Sequence, residues 1–563
     1  MRRRVTISVK RLVKGLFAVT TDARRHHVDK KEVLKSEFIK GKVSRRDFNA
    51  GLMGMGLTAA AAGTFIEATI KEAQAATPQR GGHIVMASSD DSAGGTVDPT
   101  LIVNWSDLDR NGALSNRLTE TKPGQGDNGL VGALATGWEG NADSTVWHFE
   151  LREGVEFHNG KTMTAEDVVH SFNRHHAEDS PSPARSYITS VTQFRADGPN
   201  VLVAELDSPN ADLPIVLSEY HFSVQPADLE DYNHGYVGTG PWKIEEYEPG
   251  IGSIFTRHEN YWKEDGAYTD SIEIIGIPDN TSRVNALVAG EVDIIRTVDS
   301  AFIQNVEESD RASMMVAPSG SHLTFPMRGD TDPYTNMDLR LAVKNAVDRE
   351  KFLEIAFNGQ GAVGNDHPIP PFDPMHCDDI PQRMADPDKV AYHLKQAGME
   401  NIELELNVAD STFGGSAAGE AFAALARESG LNVKAKVNPS DGYWGAVWMT
   451  APWSGSSWAG RPVADMILSI AYKGGGDWNE SFWNNERFDE LLVAARGEKD
   501  PDLRKEMYCE MQWMLYNESA QILPVFVPWL DGKSNRIQGL EANPYGAMGY
   551  FFWDEIWIDD SQA

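Results

Sequence analysis

Arg461 is the only cation in WSGSSWAGRPVADM, the stretch from Trp453 to Met466, and six of the chain's fifteen tryptophans lie between Tyr443 and Trp483. A guanidinium can grip a carboxylate or phosphate through two parallel N–H···O bonds. Indole faces supply apolar walls or accept a cation. Arg461, Trp453, Trp458 and Trp478 are therefore candidates for holding a small anionic solute. The competing reading is that Arg461, extended before Pro462, pairs with nearby Asp465 while the tryptophans pack in a core.

Catalytic patterns are absent: there is no G-x-S-x-G, phosphate-loop lysine motif, H-E-x-x-H or C-x-x-C. KGGGDWNE, around Gly474, is glycine-rich without the strand-to-helix setting of a phosphate cradle, so it reads as a turn beside aromatics. His170 and His175 are five apart on an expected helix and do not share a face, so with His176 they make no metal site. The carboxylates show no acid–base pairing. No enzyme and no cofactor are expected.

Charge narrows the partners. The chain has 51 basic and 83 acidic side chains, a formal balance of −32. The first 75 residues are basic, with 16 Lys and Arg against 7 Asp and Glu, so the remainder is more acidic still. Such a body is repelled by nucleic acids and anionic membranes. The basic leader holds SRRDFNAGLMGMG, with Arg45 and Arg46 before a Gly/Ala-rich apolar run, and Ala73-Gln74-Ala75 then offers small residues for cleavage. It resembles a twin-arginine export signal, although Asn49 stands where a hydrophobic residue is usual; an uncleaved amphipathic anchor is the alternative. The mature product is expected to be soluble outside the cytoplasm. Cys377 and Cys509, 132 positions apart, are expected to be free buried thiols.

The elements that must position these residues follow from capping and periodicity. GGHIVMASSDD reads as a strand entered through Gly81-Gly82, with Ser88 near its end as a further ligand-contact candidate. In TAEDVVHSFNRH, Thr164 caps a helix and Asp167 closes a capping box. VWHFEL and VLVAEL alternate as half-buried strands. Asn159-Gly160 marks a hairpin turn, and Gly290 ends the helix of RVNALVAG. From about residue 316 helices and strands alternate. MDLRLAVKNAVDRE starts at a capping Asp338, with Leu339, Ala342, Val343, Ala346 and Val347 on one side. DPDKVAYHLKQAG has Asp386 as cap, Pro387 in the first turn and Gly398 past the end. IELELNV, SAAGEAFAALARESG and LNVKAKV make a parallel strand–helix–strand unit, and Asp500-Pro501 starts another helix.

LREGVEFHNGKTMTAEDVVHSFNR, Leu151 to Arg174, closely resembles the signature of the family 5 extracellular solute-binding proteins, the peptide and nickel receptors of ABC importers. GTGPWKIEEYEPG, RHENYW, RVNALVAGEVDI, RLAVKNAVDRE and WNNERFDELLVAA resemble the family in the expected order, covering most of residues 80 to 530. The resemblance implies an α/β fold of the periplasmic-binding-protein type II. Two lobes close on a ligand, with an extra small domain on the first lobe, as in oligopeptide-binding proteins. The implied layout is a leader and signal over 1–75, lobe I from 76–114, 226–315 and 525–563, the extra subdomain over 115–225, and lobe II over 316–524.

By the same resemblance, Arg461 stands where peptide-binding relatives place an Asp that pairs with the peptide ammonium. Arg328, in HLTFPMRGDTDPY, replaces a usual Asn. Thr239 and Gly240 of GTGPW join the ligand-contact candidates. The implied function is a periplasmic, monomeric receptor for a small peptide or amino-acid-derived, carboxylate-bearing solute. It would present that solute to an inner-membrane ABC permease. A nickel or metallophore receptor, for which His322 and His367 are the histidines to watch, and an exported hydrolase are the alternatives.

Overall fold

The computed structural model describes Leu52 and residues 78–122, 129–229, 231–232, 236–440, 442–476 and 478–562. Arg45, Arg46 and Ala75 lie outside the described residues. Among those described, no helix is long and apolar enough to cross a membrane.

Three sheets organise the chain from Arg80 onward. The first has seven strands, in the order Ala312–Ala317, Trp529–Ser534, Ile294–Ile295, His83–Ser88, Ser271–Gly276, Gly252–Arg257 and Trp242–Glu248. Its centre is the predicted strand His83–Ser88, parallel to both neighbours. Ile84, Met86, Ile272, Ile274 and Trp242 fill the core beneath it. The second sheet is antiparallel and contains both predicted strands, in the order Ala135–Gly140, Val146–Leu151, Val201–Leu206 and Val191–Ala196. Helix Ala165–His176 packs on it, begun by the Thr164–Asp167 capping box. The third sheet, ordered Ala362–Val363, Gln521–Phe526, His322–Pro326 and Ser456–Trp458, carries the tryptophan-rich segment on its edge. Beside it, parallel strands Glu403–Val408 and Asn432–Val437 are joined through helix Gly415–Glu428.

Local signals and structure differ at two places. The helix expected to be capped by Asp338 is capped by Asn336, whose side chain accepts from the Leu339 amide at 3.1 Å. It ends at Lys344, and a second helix starts where Asp348 accepts from the Lys351 amide. The five apolar residues on its predicted face are all buried. The second difference concerns the cysteines. Cys377 and Cys509 are joined in a disulfide, with Cα atoms 4.9 Å apart, rather than free. The bond ties the loop after Asp366 to helix Pro501–Glu518. A link between positions so far apart in sequence restricts the unfolded chain strongly. Reduction, or Cys509→Ser, is expected to lower unfolding stability by about 2–4 kcal/mol. Thermal melts with and without reductant would show it, and the Cys509→Ser protein should lose its response to reductant.

Candidate functional site

Arg461 follows the edge strand Ser456–Trp458 in a turn that presses on its neighbour. A Cβ on Gly460 would lie 3.0 Å from the Gly320 Cα, and the Gly460 amide donates to Ser321 Oγ at 3.1 Å. That close approach needs glycine. Arg461 then points away from its own sheet, with its guanidinium carbon 5.9 Å from the Tyr187 ring centre. It donates to the Ala459 carbonyl at 3.0 Å, while its buried Nε has no partner. Asp465, the alternative partner, is taken by Arg496 at 3.0 Å. Arg461 is therefore not held by a carboxylate of its own loop.

The groups facing it come from the other two sheets' neighbourhoods. Glu219 and Tyr220 follow the short helix Leu213–Val216, Tyr187 lies on the short helix Pro183–Ile188, and Tyr550 is near the C-terminus. Burial pushes the Glu219 carboxyl up, but the His221 ring and the Arg461 charge outweigh it and hold it below the ordinary range. His221 Nδ1 faces Glu219 Oε2 at 2.8 Å and Nε2 faces the Ile102 carbonyl at 3.1 Å. Burial raises the phenols of Tyr187, Tyr220 and Tyr550, so all three stay neutral donors. Arg461 thus feels the Glu219 charge but makes no direct ion pair among the described residues.

The layer of the four-stranded antiparallel sheet touches the third sheet's domain directly. The Ala211 amide donates to the Arg496 carbonyl at 2.8 Å, and Arg504 donates to Asp212 at 2.8 Å. Two cavities lie along this seam. One of about 540 Å³ is lined by Tyr187, Arg185, Lys473 and Trp478; the other, of about 440 Å³, by Trp138, Trp147, Ile215, Val463 and Tyr545.

The predicted contacts divide. Trp478 is 44 % exposed at the larger cavity, and its ring lies 5.9 Å from that of Trp458. Trp458 is buried, with its indole nitrogen donating to Glu480 at 3.0 Å. Trp453 is a correction: it is fully buried among Tyr334 and Phe422 in the core, donating to the Phe325 carbonyl. Trp453 and Trp458 are five positions apart, and spacing alone does not tell wall from core. Arg328 is likewise committed locally, donating to Asp330 at 2.8 and 3.0 Å and to the Met449 carbonyl, with its guanidinium over Phe482.

Ser88, Thr239 and Gly240 pack within the first sheet's domain. Ser88 is buried beside the Asp109–Arg296 ion pair. Thr239 Oγ1 accepts from the Asn116 amide at 3.2 Å. A Cβ on Gly240 would strike the Leu114 backbone at 2.3 Å.

Glu480 escaped the sequence reading. It ends KGGGDWNE and is buried, and it accepts from Trp448 at 2.7 Å, Trp458 at 3.0 Å, and Thr324 and Gln521 at 2.8 Å. Burial raises its carboxyl, partly offset by these neutral donors. No local pattern marks such a residue, because its partners come from four distant segments. Arg117, buried with its guanidinium 4.8 Å from the Phe551 ring centre, likewise carries no local sequence signal.

His322 and His367 do not converge on a metal site. His322 is buried against Phe526 with Nδ1 on the Gly320 carbonyl at 2.7 Å, and His367 packs beside His376. Among the described residues, no group of three or more His, Cys, Asp or Glu is placed to hold a metal ion. Burial pulls His322 down to about 4 and His158, His175 and His367 down to about 3. Their folded values lie below the ordinary value of about 6.5, so the unfolded chain takes up protons first as pH falls. Their contribution to stability is full above that value and is lost progressively down to the folded values. Stability should therefore fall from pH 6.5 toward 4, with about four protons bound on unfolding near pH 5. Urea melts across that range would measure the slope.

Comparison with known proteins agrees with this architecture. Residues 129–480 match the model of the bacterial extracellular solute-binding proteins, family 5 Middle. The chain is 25 % identical to heme-binding protein A of Haemophilus influenzae, over 80 % of this chain and 89 % of that one. It is 24 % identical to the dipeptide-binding protein of Escherichia coli K12, over 80 % and 90 %. Among solved structures it resembles the PBP AgaA from Agrobacterium tumefaciens R10 in complex with agropinic acid. That match has a TM-score of 0.71 and 20 % identity, covering 85 % of this chain and 99 % of the other. With three sheets ordered as above and the family match spanning most of the body, the chain belongs to the bacterial extracellular solute-binding proteins of family 5 and has the type II periplasmic-binding-protein fold.

Proposed function

We propose that this chain is the periplasmic solute-binding component of an ABC importer, capturing a small peptide or amino-acid-derived solute by a carboxylate. The observation that carries the reading is Arg461: half-buried, without a carboxylate partner, and aimed at Tyr187 from across the seam. A solute carboxylate would supply the missing acceptor. Relatives named for dipeptides and a structural neighbour bound to agropinic acid support this ligand class.

In this reading, lobe I is the seven-stranded sheet's domain and carries the antiparallel sheet as its extra subdomain. The domain of Ser456–Trp458 is lobe II, with boundaries near residues 316 and 524. Closure brings Arg461 of lobe II against Tyr187, Glu219 and Tyr220, and the ligand tips the equilibrium through contacts made only in the closed state. Trp478 supplies apolar wall. The protein acts as a monomer without catalysis, and the permease supplies transport. Export through the Arg45-Arg46 signal with cleavage after Ala75 belongs to the same proposal.

The test is a thermal-shift panel of small peptides and N-acyl amino acids beside their carboxyl-amidated forms. Binding to the folded state raises the melting temperature by linkage. Free acids that stabilise where their amides do not support the reading, and equal responses sink it.

A further inference from the structure

The smaller cavity on the seam, of about 440 Å³, is walled by Trp138, Trp147, Ile215, Val463 and Tyr545. That volume falls in the range of small-molecule sites, about 300–1,000 Å³. Its charged lining consists of three carboxylates, Asp212, Asp373 and Glu498, against two cations, Lys499 and Arg504. Both cations are committed. Arg504 grips Asp212 with two nitrogens, one at 2.8 Å, and Lys499 donates to the Asn141 carbonyl. Glu498 accepts from the Asp500 amide at 2.8 Å.

Asp373 is the exception. It is partly buried, and one oxygen accepts from the Met375 amide at 2.8 Å. Among the described residues its carboxylate makes no ion pair. Burial raises it to about 6, and the more distant charges of Arg504 and Lys505 offset only part of that. Above pH 7 it is therefore mostly ionised on an apolar wall with no cation in contact, an arrangement that costs free energy until one arrives.

A second polar group on the same wall is unsatisfied. Ser144 is fully buried with φ of 58°, and its Oγ has no hydrogen-bond partner. Its backbone is fixed from both sides, the amide donating to the Asn141 carbonyl at 3.2 Å and the carbonyl accepting from the Asn210 amide at 3.1 Å. A hydroxyl oxygen can accept from an ammonium, and aromatic walls accommodate a cation as well as apolar groups.

We infer that this cavity binds an organic ammonium with an apolar body, with Asp373 as its counter-ion, Ser144 as a further acceptor and Trp138 and Trp147 as walls. An anion finds no free cation there, and a neutral apolar molecule leaves Asp373 as it was. The inference goes beyond the carboxylate reading and does not need it, because no Arg461 contact is used. An occupant touches the antiparallel sheet through Trp138 and Trp147 and the third sheet's domain through Val463, so it is held on both sides of the seam.

The experiment is calorimetric titration of the full chain above pH 7 with phenethylamine, phenethyl alcohol and phenylacetate. These probes share one ring and differ in charge. Wild type should bind the amine roughly 10- to 100-fold more tightly than the alcohol, and the acid no better than the alcohol. Asp373→Asn keeps an oxygen for the Met375 amide, so it should melt close to wild type and erase the preference for the amine. Val463→Phe narrows the cavity from the opposite wall and should weaken amine and alcohol together, which places both probes there independently of Asp373. Arg461→Ala should change neither.

Equal binding of amine and alcohol, or no binding of the amine, overturns the inference. So does an amine preference that survives Asp373→Asn, or amine binding untouched by Val463→Phe. Loss of amine binding in Arg461→Ala would move the amine to the Arg461 group and likewise overturn it. The comparison of free acids with amides at Arg461 stands or falls on its own probes.

Discussion

Arg461→Ala is expected to abolish the preference for free carboxylates over amides while leaving the ligand-free protein nearly as stable as wild type. The first half follows from the chemistry of the missing acceptor. A hydrogen bond to a charged group contributes about 1.5–3 kcal/mol, so losing the guanidinium should weaken an acidic solute by roughly 10- to 150-fold. The second half follows from what Arg461 touches in the folded chain. It donates to Ala459 and Gly460, carbonyls of its own loop, and among the described residues no direct ion pair to a carboxylate is broken when it is removed. Glu219 keeps His221 at 2.8 Å. Calorimetric titration beside ligand-free melting separates the two effects. Arg461→Lys sharpens the test: it keeps the charge but loses the planar two-pronged donor, so it should restore only part of the affinity. A variant that melts much lower without ligand, and binds acids as wild type does, would return Arg461 to the scaffold.

Asp366→Asn should have the largest effect on stability, about 3–5 kcal/mol, because it leaves two buried guanidinium groups without their shared anion. Asp366 is fully buried, with one oxygen accepting from Arg349 at 2.8 Å and the other from Arg383 at 3.1 Å. The Lys344 ammonium stands 3.9 Å away and donates to the Leu515 and Tyr516 carbonyls and to Ser519. The cluster fastens helix Met337–Lys344, the loop at Asp366 and the end of helix Pro501–Glu518 to one another.

Burial pushes the Asp366 carboxyl up, but Arg349, Lys344 and Arg383 outweigh it and hold it below its ordinary value. A carboxyl depressed on folding contributes stability that is present above its unfolded value, about 3.9, and is lost as pH falls through the folded one. The gap between wild type and Asp366→Asn should therefore be full at pH 7 and narrow only in strong acid. Denaturant melts at pH 7 and pH 3 would check both statements. A gap below about 1 kcal/mol at pH 7 would show that the cluster tolerates its unpaired charge.

Much of the framework was readable because its determinants are close in sequence. Thr164 and Asp167 satisfy each other's backbone amides three residues apart. Asp386, Pro387 and Gly398 bracket a helix by cap chemistry and by a left-handed terminal residue, Gly398 at φ 66°. Where the reading slipped at Asp338, the true cap Asn336 lies two residues earlier, and both types cap well. The site was less readable. Arg461 drew attention because a cation in an aromatic, glycine-rich run is unusual, but its release from Asp465 depended on Arg496, thirty-one residues away. Arg328 had its partner Asp330 two residues on, and that proximity was the better guide.

The sequence by itself determined the family, the strand and helix boundaries near strong caps, the acidic body and the presence of one exceptional arginine. These follow from short-range hydrogen bonding, side-chain period and composition, which act within a few residues. Only the tertiary structure decided that Trp453 is core while Trp478 faces a cavity, that Cys377 meets Cys509, and that Glu480 collects donors from four segments. Each of those depends on which distant segments are packed together, and burial, disulfide pairing and desolvated charge are set by that packing rather than by neighbours along the chain.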